Sequence, residues 1–215
     1  MQTEQKIRRL TESAVMIALG MGLALFTNYI PFLHLPYGGS VTVFSMVPLV
    51  ILSFRYGVGW GFFSGLVFGL LRMAIELTTG IFAGAELYVA AASVLLDYLL
   101  AYGVMGLSGI FRLRIRNPVA AGAAGTVLTC LLRYVVHVLS GVLLFGSYAT
   151  WYFTEGGFPA EAGAAILERF SGASLVWVYS VIYNGLFMAP ETVITVVGVV
   201  LTFGFAPLRR RILPE

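Results

Sequence analysis

Charged residues are scarce in this chain, and their scarcity argues against a soluble globular domain. Only 11% of the 215 residues are charged, whereas a typical soluble domain carries about 25%. Hydrophobic residues make up 59%, and the mean hydropathy is +0.92. This composition is typical of a protein that crosses a membrane several times. Cys130 is the only cysteine, which excludes an intrachain disulfide.

The chain also lacks the motifs of ATP hydrolysis and metal binding. A P-loop needs G-x-x-x-x-G-K-[ST], and the only lysine, Lys6, does not belong to one. The two histidines, His34 and His137, have no second ligand at metal-binding spacing. We therefore predict no metal site, no cofactor and no enzymatic activity, and any ATP-driven step must come from another chain.

One motif favours an enzyme and is considered as an alternative. Gly106-Leu107-Ser108-Gly109 fits the G-x-S-G of intramembrane serine proteases, with His137 as the candidate base. Ser108 is expected at the cytoplasmic end of its span and His137 in the outer half of the next, about 25 Å away. A nucleophile and its base must lie within hydrogen-bond reach, so we predict no catalytic residue.

Six apolar segments predict an all-α membrane protein with six transmembrane helices, in one integral membrane domain over residues 1–215. They lie near 11–33, 39–54, 57–76, 86–111, 118–146 and 174–205. The second segment is short, and we expect it to be tilted or only partly inserted.

The basic residues predict the orientation in the membrane. With six spans, both termini share one side with ten of the 13 lysines and arginines, namely Lys6, Arg8, Arg9, Arg55, Arg112, Arg114, Arg116, Arg209, Arg210 and Arg211. Cytoplasmic loops are enriched in Lys and Arg, so we place both termini in the cytoplasm. Because these residues flank apolar segments, they indicate a membrane topology and no nucleic-acid partner.

Polar residues inside the predicted spans are the best candidates for a binding site, because ionisable groups in a bilayer are costly. Asp97, His137 and Asn184 come from three spans and lie at similar depth, roughly 14–17 Å below the outer surface. The aromatic residues Phe145, Trp177, Tyr179 and Tyr183 belong to the same level. This set suits a flat, nitrogen-rich cation.

Three further polar residues have structural interpretations. Asp97 could instead pair with Arg133 or His137 inside the bundle, for structure alone. Arg133 and Glu191 lie deeper, and there we favour a structural ion pair. We expect Arg72, near the outer end of its span, to extend its guanidinium to the membrane interface.

The outer loop 147–173 and two stripes of small residues leave alternatives open. The loop is rich in aromatic residues and is either a lid over the site or an interfacial aromatic belt. Small residues recur every four positions in the first span (Ala14, Ala18, Gly22) and in the third (Gly61, Gly65, Gly69). Such stripes allow close helix packing, either within the protein or against a partner.

Several stretches resemble the thiamine-specific substrate-binding subunits (S components) of energy-coupling factor transporters, the ThiT family. They occur in order along nearly the whole chain: YGGSVTVFSMVP (37–48), SFRYGV (53–58), LDYLLA (96–101), LRYVVH (132–137) with Ser140-Gly141, and VYSVIYNG (178–185) ending at Pro190-Glu191.

The resemblance implies a six-helix protein of a prokaryotic cell membrane that captures thiamine from outside with high affinity. It implies partnership with a transmembrane coupling subunit, which would bind Ala14 and Ala18, and with two cytoplasmic ATPases. The family's ligand residues correspond to Asp97, Tyr98, His137, Tyr179 and Asn184, and the stacking ring would come from Phe145, Trp177 or Trp151.

The chain departs from the family at three of these places and leaves two rival functions open. Some members carry Glu at the position of Asp97, and Trp at the positions of Phe145 and Gly39. The rivals are an S component for another vitamin or a thiamine precursor, and a stand-alone transporter coupled to protons through Asp97 or His137.

Overall fold

The computed structural model describes residues 2–27, 29–30, 33–34 and 39–213. This part of the chain is almost entirely helical, and its only β-type pairing is an isolated bridge between His34 and Ser40. Most of the turn after the first span, together with Tyr37 and Gly38 of the first family-like stretch, lies outside the described residues.

The α-helices follow one another along the chain, with one π-helical and two short 3-10 segments between them. They are α1 (Gln2–Thr27), α2 (Val47–Tyr56), α3 (Val58–Leu77), α4 (Leu87–Ser93), the π-helix Val94–Leu100, α5 (Ala101–Met105), the 3-10 turn Ser108–Phe111, α6 (Pro118–Leu144), the 3-10 turn Gly146–Tyr148, α7 (Ala149–Thr154), α8 (Ala160–Arg169), α9 (Gly172–Gly204) and α10 (Ala206–Ile212).

Five helical segments are long and apolar enough to cross a membrane: Thr3–Thr27, Val58–Leu77, Leu87–Phe111, Pro118–Leu144 and Gly172–Gly204. They correspond to five of the six predicted spans. The first begins earlier than predicted because its polar start is also helical, with Arg8 Nε donating to Glu12 one turn later at 2.8 Å.

The predicted helix over 39–54 is wrong in its extent. Helix α2 has ten residues and is about 15 Å long, half the hydrocarbon thickness of a bilayer. Residues 39–46 are not helical, and Phe44 adopts a positive φ of 58°. No residue of this irregular segment is exposed, and five of the eight (39, 41, 42, 45 and 46) are buried. The segment is thus enclosed by protein, which is where a non-helical backbone is tolerated at membrane depth.

Local sequence signals explain where two of the long helices begin. Asn117 precedes α6, and its side-chain oxygen accepts from the backbone N–H of Val119 at 2.9 Å, with Pro118 at the first helical position. Ser171 precedes α9 and forms a capping box with Ser174.

The glycine stripe of α3 serves internal packing. The positions where Gly61, Gly65 and Gly69 would carry a Cβ are occupied by the backbones of Gly106, Tyr102 and Tyr98. Without side chains, α3 can approach the fourth predicted span closely. In contrast, Ala14, Ala18 and Gly22 of α1 are exposed, so this second stripe has no packing role within the described chain.

A π-helical segment interrupts the fourth predicted span at Val94–Leu100 and contains Asp97 and Tyr98. π-Helices are rare in proteins, but those that occur often lie at functional sites. Their wider turn changes the direction of the side chains. Nothing in the residue pattern had indicated this change.

The contact between α3 and the fourth span is testable with two alanine substitutions. Gly65→Ala would put a methyl group against the Tyr102 backbone and should destabilise the protein by about 1–3 kcal/mol. Gly59→Ala, on the same helix, meets no neighbouring atom and should be neutral or slightly stabilising. Thermal unfolding in detergent measures both, and equal melting temperatures for the two variants would contradict this packing.

Candidate ligand-binding site

A cavity of about 580 Å³ lies among α3, the π-helical segment, α6 and α9, within the size range of small-molecule sites. Residues 81–86 and 144–148 form part of its wall. Arg55, which contacts the carbonyls of Arg211 and Ile212, belongs to the opposite, arginine-rich end of the bundle. The cavity therefore lies toward the end that the sequence places outside the cell.

Asp97 is held by three hydrogen-bonding neighbours from two helices. Ser93 Oγ and Ser140 Oγ both donate to Oδ2, at 2.8 and 2.5 Å, and His137 Nδ1 lies 2.9 Å from Oδ1. An ionised carboxylate offers about four acceptor positions, so three are occupied. The carboxylate is thus fixed in place and can still accept one hydrogen from a ligand.

The basic residue beside Asp97 is His137, whose Nδ1 lies at ion-pair distance. Three carboxylates line the cavity: Glu76 is paired with Arg72, Glu86 is exposed at the edge, and Asp97 lies farther in. Within the described residues, no lysine or arginine lies at ion-pair distance from Asp97. The cavity therefore presents a carboxylate that no permanently charged side chain neutralises, which suits a cationic ligand.

The ion pairs of the structure decide three predictions made for the polar residues of the spans. The structural pair predicted between Arg133 and Glu191 is confirmed, with Arg133 Nη1 2.6 Å from Glu191 Oε1. Asp97 pairs with His137, as one alternative held, and not with Arg133. The prediction for Arg72 is wrong: it is only 4% exposed, because Glu76, one helical turn away, binds its guanidinium inside the protein.

His137 and Asn184 meet at the level that the sequence predicted. Asn184 Nδ2 donates to the backbone carbonyl of Ser180 at 2.8 Å and to that of His137 at 3.3 Å, which leaves its carboxamide oxygen to face a ligand. His137 Nε2 is buried without a hydrogen-bond partner in the described part of the chain. Buried polar atoms normally have partners, so this nitrogen is a second candidate contact.

The cavity wall includes only some of the aromatic rings predicted for it. Tyr98, Phe145, Tyr179, Tyr183 and Phe187 line the cavity. Trp177 does not, because it is 47% exposed on the outer surface of α9. Trp151 also lies outside the lining and packs in the aromatic cluster of the outer loop. Neither tryptophan is therefore placed to stack on a ligand in this structure, whereas Phe145 is.

The outer loop 147–173 contains the short helices α7 and α8, and α7 packs against the cavity wall. The Tyr152 ring lies edge-on to Tyr179 and Tyr183, at centroid distances of 5.3 and 5.5 Å, and Phe153 is 1% exposed. Burial raises the pKa of Tyr152, in agreement with the position of this ring inside the protein. These two rings belong to the protein interior and do not form an interfacial belt; whether the loop moves as a lid stays a prediction.

The floor of the cavity is a buried polar network. Glu191 accepts from Arg133 and, at 3.1 Å, from Thr42 Oγ1, while the Arg133 guanidinium lies 4.6 Å from the centre of the Tyr102 ring. Residues of the irregular segment 39–46 are thereby joined to α6 and α9. This network fixes the lower boundary of the cavity.

Sequence reasoning missed several residues of the site. Ser93 and Ser140 hold Asp97, and Glu76 accepts from the Tyr98 hydroxyl at 2.5 Å. Ser93 could have been found because it lies one helical turn before Asp97, on the same face. Glu76 is the last residue of the third predicted segment, 57–76, and only the three-dimensional contact with Tyr98 shows that it belongs to the site.

The alternative catalytic pair is not assembled. The Ser108 backbone packs against Gly125, and Gly125 precedes His137 by twelve residues of the same helix, about 18 Å along the axis. Ser108 is also fully buried. Among the described residues, no group of three or more His, Cys, Asp or Glu side chains could hold a metal ion.

Comparison with known proteins identifies the family. The family described as Thiamine transporter protein (Thia_YuaJ) matches residues 10–152, about two thirds of the chain. The chain belongs to this family. Its relatives include the Thiamine transporter ThiT of Bacillus subtilis, 32% identical over 96% of both chains, and that of Lacticaseibacillus paracasei, 27% identical over 94% of this chain and 90% of the relative.

A solved structure supports the fold. ThiT from Listeria monocytogenes is similar with a TM-score of 0.68 and 21% sequence identity, covering 98% of this chain and 100% of that one. The family and the apolar helices together make this a multi-pass membrane protein of bacterial type. The relatives are named as transporters and not as enzymes, in agreement with the prediction that this chain is not an enzyme.

The buried ion pair on the cavity floor gives a stability prediction. Arg133→Met leaves Glu191 as an uncompensated buried charge and should cost about 3–5 kcal/mol. Combining Arg133→Met with Glu191→Leu removes both charges and should recover most of that loss. Thermal unfolding in detergent compares the two variants, and a double variant less stable than Arg133→Met alone would contradict the pairing.

Proposed function

We propose that this protein is a thiamine-binding S component that captures thiamine from outside the cell with high affinity. The observation that carries the proposal is the carboxylate of Asp97. It is fixed by Ser93, Ser140 and His137, lacks a lysine or arginine partner among the described residues, and keeps one acceptor position free in an aromatic-lined cavity. Family membership favours thiamine over the other vitamins considered.

Thiamine offers groups that match this cavity. In our proposal its exocyclic amine donates to the free acceptor position of Asp97. The positive charge of its thiazolium ring compensates the same carboxylate through space and lies against the aromatic walls, where a desolvated cation–ring contact is worth about 2 kcal/mol. Asn184, Tyr179 and His137 hydrogen-bond the ring edges, and Phe145 supplies the stacking ring that Trp151 and Trp177 do not. The site requires no cofactor.

We further propose that the chain is one domain that crosses the membrane six times, with both termini in the cytoplasm. Support comes from segment 39–56, the second predicted crossing. The N–H of Gly39 donates to Tyr183 Oη beside the cavity, at 3.1 Å, whereas Arg55 contacts Glu12 and the carbonyl of Arg211 at the arginine-rich end. A buried irregular stretch followed by a short helix would thus connect the two membrane surfaces.

Transport in this proposal depends on a transmembrane coupling subunit and two cytoplasmic ATPases. The chain has no nucleotide-binding motif of its own. Ala14 and Ala18 form an exposed small-residue face on α1, which suits a close helix–helix contact with the coupling subunit.

Binding of thiamine to the purified protein tests the ligand and the site. Isothermal titration is preferable to tryptophan fluorescence, because neither Trp151 nor Trp177 lines the cavity. We expect tight, saturable binding to the wild type and at least a tenfold weaker affinity for Asp97→Asn, a loss of about 1.4 kcal/mol or more. Glu155→Gln, in the outer loop, removes a carboxylate outside the cavity and should bind as the wild type does.

The same titration distinguishes the rival ligands. If the wild type binds no thiamine after any co-purified vitamin has been removed, the thiamine assignment is wrong and another vitamin or a thiamine precursor becomes the leading candidate. If thiamine binds equally well to Asp97→Asn, the ligand is right but the site is wrong.

Thiamine uptake in a host without thiamine transport tests the partnership. We expect uptake only when the chain is expressed together with a coupling subunit and its two ATPases, and loss of uptake when the ATPases are inactivated. A bulky Ala18→Trp substitution should block uptake but leave binding unchanged. Uptake by the chain alone in proteoliposomes, driven by a proton gradient, would favour the stand-alone transporter instead.

A further inference from the structure

Three residues connect α3 to the cavity wall in a chain of hydrogen bonds. Arg72 Nη2 donates to Glu76 Oε1, and the Tyr98 hydroxyl donates to Glu76 Oε2 at 2.5 Å. All three residues line the cavity. Arg72 and Tyr98 are almost fully buried, at 4% and 6% exposure, and the Glu76 side chain between them is 22% exposed.

The donor and acceptor roles of Arg72, Glu76 and Tyr98 follow from the hydrogens that each group carries. A guanidinium only donates and an ionised carboxylate only accepts, so Glu76 must take its hydrogen from Tyr98. The Tyr98 hydroxyl carries one hydrogen. Because that hydrogen is donated to Glu76, the Tyr98 oxygen can act only as an acceptor toward a ligand. Arg72 binds the other carboxylate oxygen, Oε1, so both oxygens of Glu76 act as acceptors.

We infer that Glu76 is a positioning residue that fixes the Tyr98 hydroxyl as a hydrogen-bond acceptor toward the cavity. The inference rests on the proposed function and deepens it. Asp97, beside Tyr98, is an acceptor by its own chemistry, and the hydrogen bonds from Ser93 and Ser140 hold it in place. Asp97 and Tyr98, which are adjacent in the π-helical segment, therefore both present hydrogen-bond acceptors to the cavity. As a result, the site selects ligands that carry at least two N–H or O–H donors.

An amine on an aromatic ring has this character, because it offers two N–H donors. A ligand with a carbonyl oxygen at the same place would set acceptor against acceptor and leave both groups without a hydrogen-bond donor. Glu76, which need not touch the ligand, thus becomes a determinant of specificity.

A double-mutant cycle on thiamine affinity tests the inference. Tyr98→Phe removes the acceptor, and Glu76→Gln frees the tyrosine proton, because a glutamine amide can donate to the phenol oxygen. Each single variant should bind thiamine about tenfold more weakly, and the double variant should be no weaker than Tyr98→Phe alone. Multiplying effects, about a hundredfold in the double variant, would overturn the inference.

Selectivity gives a readout that simple structural damage does not change. Oxythiamine carries a carbonyl oxygen in place of the exocyclic amine. The wild type should prefer thiamine over it by at least tenfold, and Glu76→Gln should reduce that preference severalfold, because Tyr98 can then donate. Glu86→Gln is the matched control: it removes another carboxylate from the cavity edge without touching Tyr98, and it should keep the wild-type preference.

The outcomes separate this inference from the proposed function. The melting temperature of each variant shows whether it is folded. If Glu76→Gln does not fold, the affinities of Tyr98→Phe for thiamine and oxythiamine decide the question, because the preference of Tyr98→Phe for thiamine should also fall. Normal thiamine binding by the wild type with an unchanged preference in Glu76→Gln and in Tyr98→Phe overturns the inference alone. A wild type that binds no thiamine overturns both.

Discussion

The proposed site depends on the carboxylate of Asp97 and on the hydrogen bonds that hold it. Every other buried acidic group near the cavity is balanced by an arginine, Glu76 by Arg72 and Glu191 by Arg133. Asp97, the only aspartate in the sequence, has instead two serines and a histidine as hydrogen-bonding neighbours, and no lysine or arginine among the described residues. A carboxylate at membrane depth is costly, and in the proposed function the cationic ring of thiamine offsets that cost.

The packing of the helices places this carboxylate. The glycine face of α3 lets the Tyr98 and Tyr102 backbones come close, and the π-helical segment turns Asp97 toward Ser140 and His137 of α6. Below it, the pair of Arg133 and Glu191 secures the floor, and above it Tyr152 packs against the aromatic wall. In soluble proteins, hydrophobic burial drives helices together, but lipid gives no such driving force. Here, close packing at small residues and buried ion pairs hold the helices together.

The sequence predicted what depends on periodicity and depth. Apolar length located five spanning helices, and counting residues along them brought Asp97, His137 and Asn184 to one level. It could not predict what depends on backbone irregularity. Residues 39–46 belong to a predicted span but are not helical, and the π-helical turn has no residue pattern of its own. The hydrogen bond between Tyr98 and Glu76 joins two spans, and residue counting does not show which side chains of two spans meet.

The most direct test of the central claim is an experimental structure of the protein with thiamine bound. We expect the exocyclic amine of the ligand to lie within about 2.7–3.2 Å of an Asp97 carboxylate oxygen, with the hydrogen bonds from Ser93 and Ser140 retained. A thiamine molecule seated elsewhere, with Asp97 still contacting only Ser93, Ser140 and His137, would contradict it.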